Sequence, residues 1–297
     1  MDLIQRRLTY ETLLISHVLP LGTAAMLAGV CSHKPYVVLV HGMDIGLAKR
    51  NFLKRFVSGF VLRAAKCVVA NSRALEREVR DSFGVRRTLV VYPCVSEKTL
   101  SLSEARSSHR ESRPFEPVTL LTVSRLVPRK GHLRVLEAID GLRARYPDLR
   151  IAYTIVGDGP MHAAIENDIR ERALPDVNVV MNATDEELAS FYSSADIFVM
   201  PVIRDNTDRE GFGTVYLEAA AYGVPSIATD MPGVDEAVIQ GVTGILIPDG
   251  DGGALADAIY RLARDPAGRL ELGNAARSRV VDQFTPKKQF IKLTDIM

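Results

Sequence analysis

The apolar runs of this chain are short, nearly continuous and hardly alternate with polar residues, and that restricts the fold more than anything else. Tyr36–Val40, Cys67–Ala70, Val118–Val123, Ile151–Val156 and Ile197–Met200 carry few polar side chains. Strands read this way when both faces of their sheet are covered, which is the habit of parallel sheets. Between them lie stretches of helical spacing, such as 131–146 with Val135, Leu136, Ile139 and Leu142 on one side. Strand, helix, strand, helix with short turns predicts parallel sheets joined by right-handed crossovers.

Strands are expected at 13–15, 36–40, 67–70 and 89–92, and then at 118–123, 151–156, 177–181, 197–200, 224–228 and 244–247. Further helices are expected over 1–11, 21–30, 49–66, 73–83, 161–174, 185–194 and 214–222, with three more closing the chain. Ser72 is placed to cap the helix that Gly84 ends, and Thr184 with Glu187 forms a capping box. Residues 101–117 are polar, serine-rich and without an apolar face, which is linker composition. The fold class expected is therefore α/β, with two doubly wound Rossmann-like domains. They are placed at 1–112 and 113–284, with the terminal helix 285–297 packing back on the first.

Composition excludes several functions. The 37 basic and 36 acidic residues leave a formal net charge of +1, and tryptophan is absent, so nucleic acid is not an expected partner. Cys31, Cys67 and Cys94 are widely spaced and form no C-x-x-C pair, which argues against zinc and for buried free thiols. No secretory signal follows Met1, and the most apolar window, 18–31, is too short to span a bilayer. A cytoplasmic protein is expected, at most peripheral on the inner face of the membrane.

Two stretches carry the chemistry. In 209–230 a glycine turn, Glu210-Gly211-Phe212-Gly213, feeds a helix from Thr214 that Gly223 stops. Outward N–H groups at such a helix start suit an anion, and Glu210 and Glu218 bracket the turn. In 123–131 a strand runs into Ser124-Arg125-Leu126-Val127-Pro128-Arg129-Lys130-Gly131, placing fixed cations just ahead of a helix. Arginine grips phosphate as a planar fork and lysine as a point charge, so the two stretches together suit a diphosphate. In doubly wound folds ligands bind beyond the carboxyl ends of strands. Ser124-Arg125, Gly157-Asp158-Gly159 and Glu210 follow strands of the second domain, and His41 follows one of the first, facing them across a cleft.

These motifs, with Gly157-Asp158-Gly159-Pro160, 195–201, Leu217-Glu218-Ala219 and Pro232-Gly233-Val234-Asp235-Glu236-Ala237-Val238, resemble the signature of retaining glycosyltransferases of family 4, which have the GT-B fold. The likeness is dense over 118–284 and loose before it. It implies transfer of a hexose from a nucleotide diphosphate sugar to an acceptor hydroxyl, with retention and without a metal or other cofactor. It implies that Arg125 and Lys130 hold the diphosphate and that Ser124, Gly157 and Asp158 line the donor site. Glu210 would contact the transferred sugar, Gly211, Phe212, Gly213 and Thr214 would offer N–H groups, and Glu218 would accept from the ribose. His41 matches a first-domain histidine near the donor sugar. Glu210 and Glu218 are not expected to act as a hydrolase pair, since Glu218 lies two helical turns beyond the glycine turn.

The chain also departs from the family. The segment matching the family's first strand, glycine loop and early helices is missing ahead of Leu13, and Cys94 stands where glycine is common. That predicts an incomplete first domain and raises an alternative, a non-catalytic or split nucleotide-sugar-binding subunit completed by a partner chain. A saccharide or lipid-linked acceptor is expected. The basic stretch 49–66, with Lys49, Arg50, Lys54, Arg55, Arg63 and Lys66, reads as one amphipathic helix. Its apolar side (Phe52, Leu53, Phe56, Val57, Phe60 and Val61) either packs on its own sheet or lies on an anionic membrane.

Overall fold

A computed structural model describes residues 11–106, 117–204, 211–294 and 296, with the side chains of 30–32 and 105–106 left aside. Its elements follow the alternation of the apolar runs. Strands β1 (Leu13–Ile15), β2 (Tyr36–Val40), β3 (Cys67–Ala70) and β4 (Thr88–Val90) form one parallel sheet in that order. Strands β5 (Val118–Val123), β6 (Ile151–Val156), β7 (Val177–Val180), β8 (Ile197–Met200), β9 (Ser226–Thr229) and β10 (Gly244–Ile247) form a second, all parallel, in the order β10-β9-β8-β5-β6-β7. The helices are α1 (Leu21–Ser32), α2 (Met43–Lys49), α3 (Phe52–Ala64), α4 (Arg73–Phe83), α5 (Glu97–Arg106) and α6 (His132–Arg145). They continue as α7 (His162–Glu171), α8 (Asp185–Ser194), α9 (Thr214–Ala221), α10 (Val234–Ala237), α11 (Gly252–Arg264), α12 (Pro266–Gln283) and α13 (Pro286–Thr294).

The chain divides into two compact units. The first takes the described residues up to Pro93, Gly211 and Phe212, and the chain from Lys287; the second takes Cys94–Arg204 and Gly213–Pro286. The division thus lies ahead of the serine-rich stretch read as a linker. That stretch begins inside α5, which belongs to the second unit, and 107–116 lie outside the described residues.

In the first unit the strands feed two apolar layers. Val38, Val40, Val68 and Ala70 face Ile45, Val61, Leu62, Leu75 and Val79. On the other side Val37, Cys67 and Val69 meet Leu89, Leu293 and Ile296, so the end of the chain covers that face. The Gln289 side chain accepts the Tyr92 N–H at 2.9 Å and is buried. The second unit packs Leu120, Tyr153, Ile155, Ile197 and Ile227 against Leu136, Ile139, Ile259 and Leu262. Strand β5 lies at the middle of its sheet. From it the chain adds β6 and β7 on one side and β8, β9 and β10 on the other. Between β5 and β8 the order therefore reverses, and in doubly wound sheets the ligand crevice lies at such a reversal, beyond the carboxyl ends.

Local signals act as expected at several ends. Ser72 accepts from Leu75 N–H at 3.2 Å, and Gly84 closes α4 with φ 65°. Thr184 and Glu187 form the reciprocal capping box of α8.

The basic stretch behaves differently. It holds one helix, α3, that starts later than expected: Lys49 closes α2, and Asn51 takes an extended conformation whose side chain accepts the Leu53 N–H at 2.8 Å, so α3 begins at Phe52. Its aromatic side does not pack on the sheet: Phe52 is 85%, Phe56 54% and Phe60 50% exposed. The buried stripe is Ser58, Gly59, Val61 and Leu62. Small residues bring the neighbouring helix close there, since a Cβ on Gly22 of α1 would come within 2.6 Å of Val61.

Glycines separate two kinds of helix position. Gly273 in α12 lies against the Gly223 carbonyl, with no room for a Cβ, whereas Gly141 in α6 faces open space. In urea unfolding followed by circular dichroism, Gly273→Ala is expected to lose about 2–4 kcal/mol. Gly141→Ala is expected to gain about 0.5–1 kcal/mol. Equal behaviour of the two variants would contradict this packing.

Candidate functional site

The carboxyl ends of β5, β6 and β8 meet through their backbones. A Cβ on Gly157, just after β6, would overlap the Ser124 carbonyl that follows β5. One on Gly159 would lie 2.5 Å from the Leu126 oxygen, and one on Gly131 would overlap the Pro201 carbonyl after β8. Leu126 N–H donates to Asp158 O at 2.8 Å, and Met161 N–H to Leu126 O at 2.9 Å. Below this layer the Thr122 hydroxyl ties β5 to the Val199 carbonyl of β8 and pairs with Tyr153 at 2.8 Å. Ser124, Arg125, Lys130, Gly157 and Asp158 are thereby brought to one rim.

The cations on this rim differ. Arg125 is exposed, whereas Arg129 and Lys130 are buried in a one-turn helix, Pro128–Lys130, that Gly131 closes at φ 76°. All three have partners. A buried charge needs compensation, so Arg129 and Lys130 are held in place rather than solvated. Arg129 was not expected as a site residue; its burial beside Lys130 is visible only in three dimensions.

His132 was also missed. It starts α6 and is buried, with Nε2 2.9 Å from the Ser124 hydroxyl. Burial, and then the Lys130 charge, pull its imidazole down to about 4. It is therefore neutral near pH 7 and shares a proton with Ser124 as a hydrogen-bond partner. Nothing in a single His after Gly131 signals this.

Across the crevice, α9 begins at Gly213, whose φ is 84°. The Tyr216 hydroxyl donates to Met200 O at 2.8 Å and pins the helix start to the end of β8. Thr214 opens this helix, and Glu218 sits on its second turn. One Glu218 oxygen accepts from the Tyr192 hydroxyl at 2.8 Å, and Tyr192 stacks on Tyr222 with centroids 5.4 Å apart. Burial raises the Glu218 carboxyl above its usual range, and the Tyr192 bond opposes that. Tyr192 was not foreseen either; its role depends on α8 and α9 lying side by side.

The remaining expected residues are in the first unit, apart from Glu210, which lies outside the described residues. His41 is exposed at the end of β2. Asp44 pins its turn: one carboxylate oxygen accepts the N–H groups of His41, Gly42 and Ile45 at 3.0–3.1 Å. A Cβ on Gly211 would lie 2.8 Å from the His41 carbonyl and 2.9 Å from Asn71. Phe212 is buried, its ring 5.4 Å from that of Tyr92. His41, Asp44, Lys54 and Ser58 line a cavity of about 290 Å³. Within the described structure the second Asp44 oxygen and the Ser58 hydroxyl are buried without a hydrogen-bond partner. Among the described residues no group of three or more His, Cys, Asp or Glu is placed to hold a metal ion, and no helix is long and apolar enough to cross a membrane.

Residues 105–279 match the family described as glycosyl transferases group 1, and residues 4–94 match a glycosyl transferase 4-like domain. This chain belongs to the group 1 glycosyl transferase family. It is 29% identical over 298 residues to the GDP-mannose-dependent alpha-(1-6)-phosphatidylinositol monomannoside mannosyltransferase of Mycolicibacterium smegmatis, covering 97% of this chain and 76% of that one. It is 30% identical over 226 residues to the D-inositol 3-phosphate glycosyltransferase of Pseudarthrobacter chlorophenolicus, covering 74% and 52%. Sucrose-phosphate synthase from Thermosynechococcus elongatus superposes with a TM-score of 0.76 at 25% identity, over 97% of this chain and 73% of that one. Anabaena HepE in complex with UDP gives 0.82 at 20% identity, over 99% and 80%, which speaks to the fold alone. The two parallel α/β units are those of the GT-B fold.

The neutral, buried His132 makes stability depend on pH. Its folded value lies below the unfolded one, near 6.5, so the folded chain disfavours its proton. Stability is whole above about pH 6.5 and falls as pH drops towards 4, by on the order of 3 kcal/mol in all. Melting temperatures of the wild type should decline through this window, and His132→Gln should flatten the decline. An unchanged slope in the variant would contradict the assignment.

Proposed function

We propose that this chain transfers a hexose from a nucleotide diphosphate sugar to an acceptor hydroxyl, with retention at the anomeric carbon and without a metal, as a family 4 glycosyltransferase. The observation that carries the reading is the reversal of strand order between β5 and β8, with buried cations after β5 and the start of α9 after β8. Breaking the bond from the anomeric carbon to the diphosphate leaves charge on the phosphate oxygens. Preorganised cations and N–H donors stabilise such charge without rearranging.

In this reading Arg125 and Lys130 hold the diphosphate, and Ser124, Gly157 and Asp158 line the donor. Gly211, Phe212, Gly213 and Thr214 offer backbone N–H groups, and Glu210 and His41 serve the transferred sugar. Glu218 receives the ribose hydroxyls. Its bond to Tyr192 supports this, because it occupies one oxygen and aims the carboxylate from a fixed position. In this reading the two cations supply the positive charge that a metal supplies in other phosphate chemistry. The acceptor is read as a hydroxyl-rich saccharide or lipid-linked sugar. The unpartnered Asp44 oxygen and Ser58 hydroxyl of the first unit support that class, since buried polar atoms want hydrogen-bond partners. Contact with a membrane surface and a partner chain adding to the first sheet belong to the same proposal.

A panel of nucleotide diphosphate sugars should contain at least one that raises the melting temperature. Arg125→Ala and Glu218→Ala should each weaken its binding about 10- to 100-fold, the loss of a charged hydrogen bond. Transfer should survive a chelator, and the product should keep the donor's anomeric configuration by NMR. Binding without turnover would favour the non-catalytic subunit. No shift with any donor, together with no effect of either variant on nucleotide affinity, would reject the donor site.

A further inference from the structure

His132 is buried beside the β5–β8 rim, yet no part of the proposed reaction uses it. It opens α6 directly after Gly131. Its Nε2 is 2.9 Å from the hydroxyl of Ser124, a half-buried residue that follows β5. The backbone of Ser124 is fixed on its own account. Its N–H donates to Val156 O at 3.0 Å, and its carbonyl fills the place that a Cβ on Gly157 would take. What remains to be set is the direction of the hydroxyl proton. Besides His132, the Arg125 carbonyl oxygen lies 3.2 Å from the same Oγ.

A serine hydroxyl has one hydrogen and two lone pairs, and a neutral imidazole carries its proton on one nitrogen. Two arrangements follow. In the first, Nε2 is bare and the Ser124 hydroxyl donates to it. The contact with the Arg125 carbonyl is then oxygen against oxygen, and Ser124 turns lone pairs to the rim, where they repel an anion. In the second, Nε2–H donates to Ser124 Oγ, and the hydroxyl donates to the Arg125 carbonyl. Both contacts are then hydrogen bonds, so the carbonyl selects this arrangement. The bond to the carbonyl is the longer and the more exposed of the two. It is therefore the one that an incoming acceptor displaces.

We infer that His132 is a positioning residue for the leaving diphosphate: its Nε2–H occupies a lone pair of Ser124 and makes that hydroxyl a dedicated donor to a phosphate oxygen. The inference rests on the donor site proposed above. When the donor binds, the Ser124 proton swings from the Arg125 carbonyl to the phosphate, whose oxygens only accept. Charge on those oxygens grows as the bond from the anomeric carbon breaks, and a hydroxyl aimed in advance meets it without rearranging. An imidazolium would keep the same Nε2–H, so the arrangement does not depend on the charge of the ring.

The test is a double-mutant cycle, read by calorimetric titration of the full chain with GDP, UDP and ADP. Ser124→Ala and His132→Phe should each weaken the diphosphate that binds the wild type by about five- to tenfold. The double variant should lose no more than the larger single loss, because both changes remove the same donor. His132→Gln, whose amide N–H extends towards Oγ, should recover most of the affinity. A ring that only fills the core predicts losses that multiply in the double variant and no advantage of Gln over Phe. Either result overturns the inference and leaves the donor site standing. Nitrogen-15 NMR of the wild-type imidazole needs no variant to fold: Nε2 should carry the proton at pH 7, and a bare Nε2 overturns the inference. Failure of all three diphosphates to bind the wild type overturns it as well, together with the donor reading.

Discussion

The second unit depends on a layer of backbone contacts made without side chains. At the carboxyl ends of β5, β6 and β8, glycines at 131, 157 and 159 let three loops touch carbonyl to Cα. A single Cβ at any of these places would separate strand ends that must converge. Because the loops touch, Ser124, Arg125 and Lys130 arrive together with Asp158 at the reversal of strand order. The helix that follows β8 is anchored to the same rim through Tyr216. The crevice is thus a consequence of sheet topology, and its chemistry a consequence of what the loops are allowed to carry.

Burial then sets the electrostatics. Lys130 and His132 sit within one turn of each other in a dry place. Burial, and then the Lys130 charge, keep the His132 imidazole neutral near pH 7, so it meets the Ser124 hydroxyl in a neutral hydrogen bond. On the other lip Glu218 is desolvated and held by one phenol. A carboxylate in that state gains from any further donor, which is what a pair of ribose hydroxyls would bring. The first unit shows a related arrangement at Asp44, where one oxygen serves three N–H groups and the other is buried without a hydrogen-bond partner in the described structure.

Much of the fold could be read from the residues. Unbroken apolar runs marked both parallel sheets, and Ser72, Gly84 and Thr184 marked helix ends through local chemistry that needs no tertiary partner. The rim residues were legible because loop composition and strand ends lie together in the chain. Other features depended on contacts distant in sequence. The α3 stripe has two apolar sides, and periodicity cannot say which one is buried; the close approach of Gly22 in α1 to Val61 goes with the buried side and is visible only in three dimensions. The unit boundary falls before α5 rather than in the serine-rich stretch, since α5 packs with the second unit. Arg129, His132 and Tyr192 became visible only when their neighbours did.

In the proposed donor site, the rim between β5 and β8 grips a diphosphate through Lys130 and the start of α9. Calorimetric titration of the wild type and of Lys130→Gln with a nucleoside diphosphate and the matching monophosphate tests it most directly. The wild type should prefer the diphosphate clearly, and Lys130→Gln should lose most of that preference while keeping its affinity for the monophosphate. An equal preference in both proteins would show that the second phosphate is held elsewhere, and the account of this crevice would fail.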